Sequence, residues 1–463
     1  MDRLRKAVFI ALVTVEIVVQ YLDLPALRML LGPVALLCWI LAFGRADRTS
    51  KRISLILLSV GAFLYIRSRA PLSEIVGSFA ENTSVLMVMT LIPLVGVAVD
   101  LGGYADALSV ASRTVRSPRS LYVLAVLLSF AIGSVLLNAA IALLWVVLFP
   151  VVERLVREPR WFLVKALPRG YDASLMWTPA SPSTAVALTV SGAAWTSIAA
   201  PGFLISLAAL AIAIAFEWRA LGPTAGNEET TNEETAYEET ATEGSSEEPV
   251  GSDTKRRLAA LATGLLSFIA SIVVMEAFGV TIYQAVLPCV LGTLLVWTAF
   301  MGKAPEAVKG LVKRLDDSMS RMSTQFLLMT TAGFIGTAVK LATASGLPDY
   351  LAGLGENRLL FTAVVSCSVT LLSAVCVHPQ IGMVITYSLV ASVAPSYSPA
   401  YVCLALLLGA ALGFNLSPVS ATMLVTSACA QTNSIEVGLR RHWRYVLVVL
   451  PVVILTLSYL VLI

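Results

Sequence analysis

The chain alternates long apolar stretches with short polar segments along most of its length. Eleven of these stretches reach or approach the roughly 20 residues that a helix needs to cross a ~30 Å hydrocarbon core. They lie near 7–23, 26–44, 53–67, 84–102, 166–192, 198–218, 257–275, 282–301, 324–345, 399–430 and 442–462. The pattern therefore predicts an all-α polytopic membrane protein with about eleven transmembrane helices.

Two further apolar stretches, near 120–152 and 359–395, are too long for one comfortable span. Each has polar residues or proline at its middle: Ser134 and Asn138 in the first, Ser373, His378 and Pro379 in the second. Irregular backbone is tolerated at membrane depth only where protein or a cavity surrounds it. We therefore predict two re-entrant hairpins, each made of two short half-helices that enter and leave on the same side.

The distribution of basic residues supports this count and fixes an orientation. With the N-terminus in the cytoplasm and both hairpins re-entrant, the cytoplasmic segments hold all but five of the 32 Lys and Arg residues, as the positive-inside rule requires. The exceptions are Arg28, Arg67, Arg69, Lys340 and Arg358. We predict an integral protein of the cytoplasmic membrane, with its N-terminus inside and its C-terminus outside.

The two halves of the chain resemble each other. The stretch 86–101 aligns with 326–341, and 180–192 aligns with 416–428, with eleven identities in 29 positions. Five spans per half is an odd number, so the second repeat is expected to be inverted, an arrangement that suits alternating access. The predicted domains are an extra N-terminal span (1–25), a first repeat (26–223) and a second repeat (256–463).

The segment 224–255 between the repeats differs in composition. It is acidic, repetitive and almost free of large apolar residues, so it cannot bury enough surface to fold. We predict a disordered cytoplasmic linker. A binding tail for a basic partner is the alternative, and the sequence does not discriminate between the two.

Two spans are interrupted at matching places, around residues 178–184 and 415–420. Proline breaks each helix there, and nearby Ser and Thr can satisfy the freed backbone groups. Paired interruptions in two repeats point to a site at the membrane midplane. The predicted substrate- or ion-binding residues are Ser134, Asn138, Thr178, Ser181, Ser183, Thr184, Ser373, His378, Gln380, Asn415, Ser417 and Ser420.

The residue types in this predicted site limit its chemistry. Half-helix N-termini suit an anion, while free carbonyls and hydroxyls suit Na⁺; no Arg or Lys lies in the hairpin tips. His378 could carry a coupling proton or hydrogen-bond a substrate, or simply be a neutral histidine satisfying backbone carbonyls. Asp172 is ambiguous, and the hairpin tips lack the carboxylate expected of a cation antiporter.

At these residues the chain resembles the ion transporter superfamily, which includes divalent-anion/sodium symporters, arsenite exporters, citrate–metal symporters and the membrane subunit of tripartite periplasmic transporters. Divalent-anion symporters carry Ser-Asn-Thr at both hairpin tips. Here Ser134-Val-Leu-Leu-Asn138 and Ser373-Ala-Val-Cys-Val-His378 stand in their place, so one serine and one polar residue carry over at each tip. The resemblance implies a homodimer, with a scaffold domain and an elevator-like transport domain.

Together these features predict a secondary transporter of a small, anionic, carboxylate-like organic solute, coupled to Na⁺ or H⁺. The expected partners are the solute or ion, the lipid bilayer and a second copy of the chain, with no nucleic acid, no cofactor and no resident metal. An enzyme is not expected, because the chain has two histidines and no HExxH motif. The alternatives are an inorganic ion exporter, a cation/proton antiporter of the same fold, and a channel.

Overall fold

The computed structural model describes residues 2–22, 24–221, 251–343, 353–391 and 393–460. Over these residues the chain is helical and contains no β-strand, as the apolar pattern predicts. The predicted linker lies outside the described residues up to position 250. Its last four residues, 252–255, were assigned wrongly, because they begin a helix that continues into the next apolar stretch.

The first half begins with three helices and a run of shorter ones that ends at Gly102. Two 3₁₀ turns, Ser78–Ala80 and Ile92–Val95, interrupt that run. The helices are α1 (Asp2–Tyr21), α2 (Pro25–Phe43), α3 (Arg48–Ser68), α4 (Leu72–Gly77), α5 (Thr83–Leu91), α6 (Gly96–Gly102), α7 (Tyr104–Ser112), α8 (Pro118–Leu136), α9 (Asn138–Leu155), α10 (Pro159–Ser174), α11 (Pro182–Ser191) and α12 (Trp195–Trp218).

The second half begins with two long helices and includes one amphipathic helix, α15. Two π-helical turns, Glu436–Arg440 and Thr456–Leu460, flank the last helix. The helices are α13 (Ser252–Ala277), α14 (Ile282–Phe300), α15 (Ala304–Arg321), α16 (Ser323–Thr343), α17 (Arg358–Ala374), α18 (Pro379–Val390), α19 (Pro399–Leu416), α20 (Ala421–Ala430) and α21 (Arg441–Leu455).

Within the described residues, eleven helical segments are long and apolar enough to cross a membrane. The number equals the predicted one, but the set differs. Helices α8 and α9 each qualify, whereas α1 does not, and the predicted span 166–192 is divided between α10 and α11. Charge explains the case of α1, which begins with Asp2, Arg3, Arg5 and Lys6. The chain is an integral membrane protein with an all-helical fold.

Helices α8 and α9 form the first helical hairpin, which turns at Leu137 alone. Leu137 has a φ of 56°, a conformation that costs a non-glycine residue energy. Pro118 and Leu155, at the open ends of the two arms, line the same cavity of about 460 Å³, so both arms end at one face. With 19 and 18 residues, the arms are longer than the short half-helices expected.

Helices α17 and α18 form the second helical hairpin, which turns through residues 375–378. Cys376 has a φ of 70°, so each hairpin turns at a non-glycine residue with positive φ. At the open end, the Tyr397 hydroxyl donates a hydrogen bond to the Leu354 carbonyl. The rings of Phe361 and Tyr397 lie 4.3 Å apart there, which places the start of α17 beside the end of α18.

A matching hydrogen bond fastens each hairpin to the helix that follows it. The Ser129 hydroxyl of α8 donates to the Leu167 carbonyl of α10 at 2.6 Å. The Ser366 hydroxyl of α17 donates to the Ala405 carbonyl of α19 at 2.8 Å. The same relationship therefore occurs once in each half of the chain.

Glycine allows both of these helix pairs to approach closely. A Cβ on Gly170 of α10 would lie 2.2 Å from the carbonyl oxygen of Val126, and one on Gly409 of α19 would lie 2.6 Å from that of Ser366. Both distances are far shorter than real carbon–oxygen contacts. Small residues let membrane helices pack backbone to backbone, and glycine serves that purpose in both halves.

A buried ion pair joins α10 to α12. The Arg169 guanidinium, only 1% exposed, lies 2.9 Å from the Glu217 carboxylate and 2.9 Å from the Tyr122 hydroxyl. Lys165 contacts the other Glu217 oxygen at 3.0 Å. The positive-inside distribution predicts that Arg169 lies on the cytoplasmic side. Its side chain is buried among the helices, where Glu217 supplies its counter-charge.

The helices can be divided into two groups, which also contact each other where α16 packs against α18. In the first, α1–α6 pack with α13–α16; Thr331 of α16, for example, accepts a hydrogen bond from Trp39 of α2 at 3.0 Å and lies 2.6 Å from the Ser54 hydroxyl of α3. In the second, α8–α12 pack with α17–α21. Helix α7 leads from the first group to the second. The site predicted from the sequence lies within the second group.

Candidate functional site

The first broken helix leaves residues 175–181 between α10 and α11 without regular structure. The Thr178 hydroxyl donates a hydrogen bond to the Ser134 carbonyl at the tip of the first hairpin, and accepts one from the Ala180 amide at 3.2 Å. Ser181 begins α11, accepting the Ser183 amide at 3.1 Å. Hydroxyl side chains thus replace the helical hydrogen bonds that Pro179 and Pro182 remove.

The second broken helix has a shorter break, with only residues 417–420 between α19 and α20. Ser420 begins α20: its hydroxyl accepts the Met423 amide at 3.2 Å and donates to the Phe414 carbonyl at 2.9 Å. Asn415 donates to the Ala411 carbonyl at 3.2 Å. The Ser417 hydroxyl and the Asn415 side-chain oxygen are buried without a partner.

The tips of the two hairpins contact opposite halves of the chain. At the second tip, the Gln380 amide donates to the Ser183 hydroxyl of α11 at 3.4 Å. At the first tip, the Asn138 side-chain oxygen lies 3.4 Å from the Thr422 hydroxyl of α20. Each hairpin tip therefore meets the broken helix of the other half, and the four predicted elements converge.

Asp172 lies at this convergence, although the sequence analysis left its role open. The Thr422 hydroxyl donates to Asp172 Oδ1 at 2.9 Å. The side chain is fully buried, and Oδ2 has no hydrogen-bond partner. In the part of the chain that the structure describes, no Lys or Arg forms an ion pair with it. A buried carboxylate without a counter-charge in a membrane protein makes Asp172 a candidate functional residue.

The helix ends around the site share a polarity. Helices α9, α11, α18 and α20 all begin here, at Asn138, Pro182, Pro379 and Ala421. Helix N-termini carry partial positive charge and amide groups without intrahelical acceptors, so they attract anions. The site thus combines one carboxylate with four electropositive helix ends.

His378 lies at the second hairpin tip, as the N-cap of α18. Its ring packs edge-on against Phe414, with 5.7 Å between the ring centroids. Its Nδ1 and the Gln380 side-chain oxygen are buried without a partner. Unsatisfied polar atoms are rare in protein interiors and call for an explanation. Here they cluster beside the broken helices.

Not every predicted side chain joins the contact between halves. The Ser134 and Ser373 hydroxyls donate to carbonyls of their own helices, Ala131 and Val369, at 2.7 Å each. Thr184 donates to the Leu175 carbonyl at 3.2 Å. These three residues shape the backbone of the site. Sequence reasoning missed Thr422 and left Asp172 ambiguous; each lies a few residues outside a predicted break.

Within the described residues, no three His, Cys, Asp or Glu side chains gather as a metal site would require. The second histidine, His442, is fully buried and its Nε2 lies 3.2 Å from the Val164 carbonyl. Its Nδ1 is buried without a partner, as that of His378 is, but His442 lies beside α10 and not at a hairpin tip.

No protein-family model matches the chain, and no curated protein matches it. Among solved structures, the chain is similar to the YdaH transporter of Alcanivorax borkumensis, with 14% identity and a TM-score of 0.48 over 80% of this chain and 84% of that one. It is also similar to MtrF of Neisseria gonorrhoeae, described with a class of antimetabolite efflux pumps, with 14% identity and a TM-score of 0.46 over 81% of each chain.

Proposed function

We propose that this protein is a secondary active transporter that moves a small anionic, carboxylate-like organic solute across the cytoplasmic membrane, coupled to Na⁺ or H⁺. The observation that carries the proposal is the crossed contact between halves. Asn138 of the first tip meets Thr422 of α20, and Gln380 of the second tip meets Ser183 of α11. A buried polar site formed by both halves is what alternating access requires.

The solute is held by helix ends and hydroxyls in this proposal. Four helix N-termini meet at the site, and no Lys or Arg lies in the two hairpin tips. Dipoles and hydroxyls balance less charge than arginine does, which favours a singly charged or polar solute. His378 and Gln380, whose unpartnered atoms face this region, would hydrogen-bond the solute.

The coupling cation is held by Asp172 in this proposal. Its carboxylate, the Thr422 hydroxyl and the Asn138 side-chain oxygen form a cluster of oxygen atoms, and oxygen is the ligand type that hard cations take in proteins. A proton on Asp172 would neutralise the same charge. In either case a cation at Asp172 offsets the cost of keeping a carboxylate at membrane depth.

The movement that we propose follows from the two groups of helices. The hairpins would be re-entrant, the halves inverted repeats with the N-terminus inside and the C-terminus outside, and the second group would slide past the first as an elevator. The first group would form the homodimer scaffold. The hydrogen bonds of Ser129 and Ser366, which recur in both halves, support the repeat.

A cation/proton antiporter is the second candidate, and Asp172 favours it. The absence of a carboxylate from the sequences of the hairpin tips counted against this class. The structure brings the Asp172 carboxylate next to Asn138 at the first tip. An antiporter would use Asp172 alternately for two cations and would need no anionic solute.

The experiment that separates these candidates is a thermal-shift screen of the purified protein. Acetate, succinate, citrate, methanesulfonate and phosphate would be added singly, in Na⁺ or K⁺ buffers and at several pH values. We expect one of the carboxylates to raise the melting temperature only with Na⁺ or at low pH, and Asn138→Ala and His378→Ala to remove that rise. Stabilisation by cations alone would support the antiporter, and no response to any anion or cation would overturn the proposal.

A further inference from the structure

A second cavity lies apart from the polar site, between the two groups of helices. It has a volume of about 520 Å³ and is bounded by α7, α8, α12 and α13. We call it the apolar cleft. Its walls are formed by Leu108, Ala111, Ser112, Leu124, Leu128, Phe130, Ala131, Ile132, Ser134, Trp177, Phe203, Leu258, Leu261, Ala262, Leu265, Leu266 and Ile269.

The apolar cleft is poorly suited to a polar solute. Its two hydroxyl groups are both engaged, since Ser112 donates to the Ser109 carbonyl at 2.8 Å and Ser134 to the Ala131 carbonyl at 2.7 Å. The remaining polar group is the indole N–H of Trp177, which has no partner. One N–H cannot replace the hydration of a charged or multiply polar molecule.

The apolar cleft is open towards the surroundings of the helix bundle. Leu266, on its wall, is 65% exposed, and Phe203 is 36% exposed. In a bilayer this mouth faces hydrocarbon, so the molecule that can enter sideways is a lipid. Along α13 the lining runs from Leu258 to Ile269, which is roughly 16 Å at the rise of an α-helix. An acyl chain can lie along such a wall.

Basic residues lie where the lining of α7 ends and where that of α13 begins. Arg113 directly follows Ser112, while Lys255, Arg256 and Arg257 directly precede Leu258; all four basic residues are exposed. Arg257 forms an ion pair with Asp253 at 2.9 Å. Its guanidinium lies 3.9 Å from the position of a Cβ on Gly103, so the basic residues of α13 lie near the start of α7 and Arg113 lies beyond its other end. Lys255 and Arg256 are exposed beside Arg257, and basic pockets between membrane helices recognise anionic lipid headgroups.

We propose that the apolar cleft binds an anionic phospholipid, with an acyl chain between α8 and α13 and its phosphate beside Lys255 and Arg256 at the start of α13. A chain in this position contacts both groups of helices. It also touches Ser134 at the tip of the first hairpin and the aromatic residues Phe130, Trp177 and Phe203. The centroid of the Trp177 ring lies 6.1 Å from that of Phe130 and 5.1 Å from that of Phe203.

The test uses the full chain in phosphatidylcholine vesicles containing brominated-chain phosphatidylglycerol, because bromine quenches nearby tryptophan fluorescence. The chain has eight tryptophans, so the contribution of Trp177 is the difference between the wild type and Trp177→Phe. We expect brominated phosphatidylglycerol to quench this contribution at a mole fraction at least 25-fold lower than brominated phosphatidylcholine. Lys255→Gln with Arg256→Gln should remove about 25-fold of that preference, about fivefold per residue.

Matched variants separate the cleft from the membrane surface. Lys309→Gln with Lys313→Gln removes the same charge from α15 and should leave the preference unchanged. Ala262→Phe fills the cleft and should abolish the quenching, whereas Ala260→Phe, on α13 but outside the lining, should not. Equal quenching by the two lipids, or quenching that survives Ala262→Phe, would overturn the proposal. Because no transported solute is involved, the outcome is independent of the proposed transport function.

Discussion

The hydroxyl of Thr422 donates a 2.9 Å hydrogen bond to Oδ1 of Asp172, and so joins residues from the two halves of the chain. Asp172 lies near the end of α10, before the first break, and Thr422 lies at the start of α20, after the second. The bond connects the two broken helices directly. Any movement that separates these helices must break it and leave the Asp172 carboxylate without its hydrogen-bond partner.

We expect Asp172→Asn to remove the response of the protein to its coupling cation. A cation that binds only the folded state stabilises it by about 2.7 kcal/mol when its concentration is 100 times its dissociation constant. The neutral amide of asparagine would remove most of this stabilisation. The measurement is the melting temperature in Na⁺ against K⁺ buffer, and across pH. Asp106→Asn, an exposed carboxylate on α7, is the control. If both variants respond to cations as the wild type does, Asp172 is not the cation site.

Proximity of the two broken helices can be tested by cross-linking. In a background without the six native cysteines, Asp172→Cys with Thr422→Cys should form a disulfide under mild oxidation, because the native side chains are in direct contact. A protease site inserted in the segment 224–250 would then release two fragments on a reducing gel only. Asp172→Cys with Ser427→Cys, further along α20, should release them on both gels. Release of the fragments from the first pair without reduction would contradict the contact.

Cys376 offers a test of backbone strain at the second hairpin tip. Its φ of 70° lies where glycine is favoured, so Cys376→Gly should leave the free energy of unfolding unchanged or raise it by at most about 1 kcal/mol, which thermal unfolding would measure. Cys367→Gly makes the same change inside α17 and should cost about 1 kcal/mol. Both side chains are partly exposed. Equal losses in the two variants would show that the tip is not strained.

Close packing of α10 on α8 predicts that replacement by alanine has opposite effects on stability at Gly170 and at Gly292. A Cβ on Gly170 would lie 2.2 Å from the Val126 carbonyl oxygen, whereas one on Gly292 of α14 would meet nothing within 4 Å. Gly170→Ala should therefore destabilise the protein by about 1–3 kcal/mol, while Gly292→Ala should stabilise it by up to about 1 kcal/mol. Thermal unfolding in detergent measures both, and similar shifts would argue against the backbone contact.

The buried ion pair of Arg169 and Glu217 gives a prediction on stability. Arg169→Met leaves the Glu217 carboxylate buried with only Lys165 as a partner, and removing one member of a buried pair typically costs 3–5 kcal/mol. Adding Glu217→Gln should recover much of that loss. The exposed Arg440 next to Glu436 is the control, since Arg440→Ala should cost no more than about 1 kcal/mol. A small effect of Arg169→Met would show that the pair is well hydrated.

The sequence was sufficient for the architecture of the polar site but not for its charge. Proline and serine mark the breaks in the local sequence. The boundaries 399 and 430 of the second broken stretch were also predicted correctly. Asp172 was left open because its neighbours in sequence do not reveal its neighbour in space. Thr422, its hydrogen-bond partner, is 250 residues away.

The length of the hairpin arms also could not be predicted from the local sequence pattern. The polar residues Ser134 and Asn138 indicated a turn, and the structure turns between them at Leu137. The pattern could not reveal that each arm extends for 19 or 18 residues. Arm length depends on packing against α10, and Gly170 and Ser129 produce that packing through contacts that no periodicity encodes.

The two interruptions of the helices are unequal, with seven residues from 175 to 181 and four from 417 to 420. A transporter whose halves exchanged identical shapes would spend equal time facing each side of the membrane. The halves of this chain cannot adopt identical shapes, because three additional residues must be accommodated in one of them. In the proposed alternating-access cycle, the empty protein would therefore favour one orientation, set by the peptide chain before any solute or ion binds.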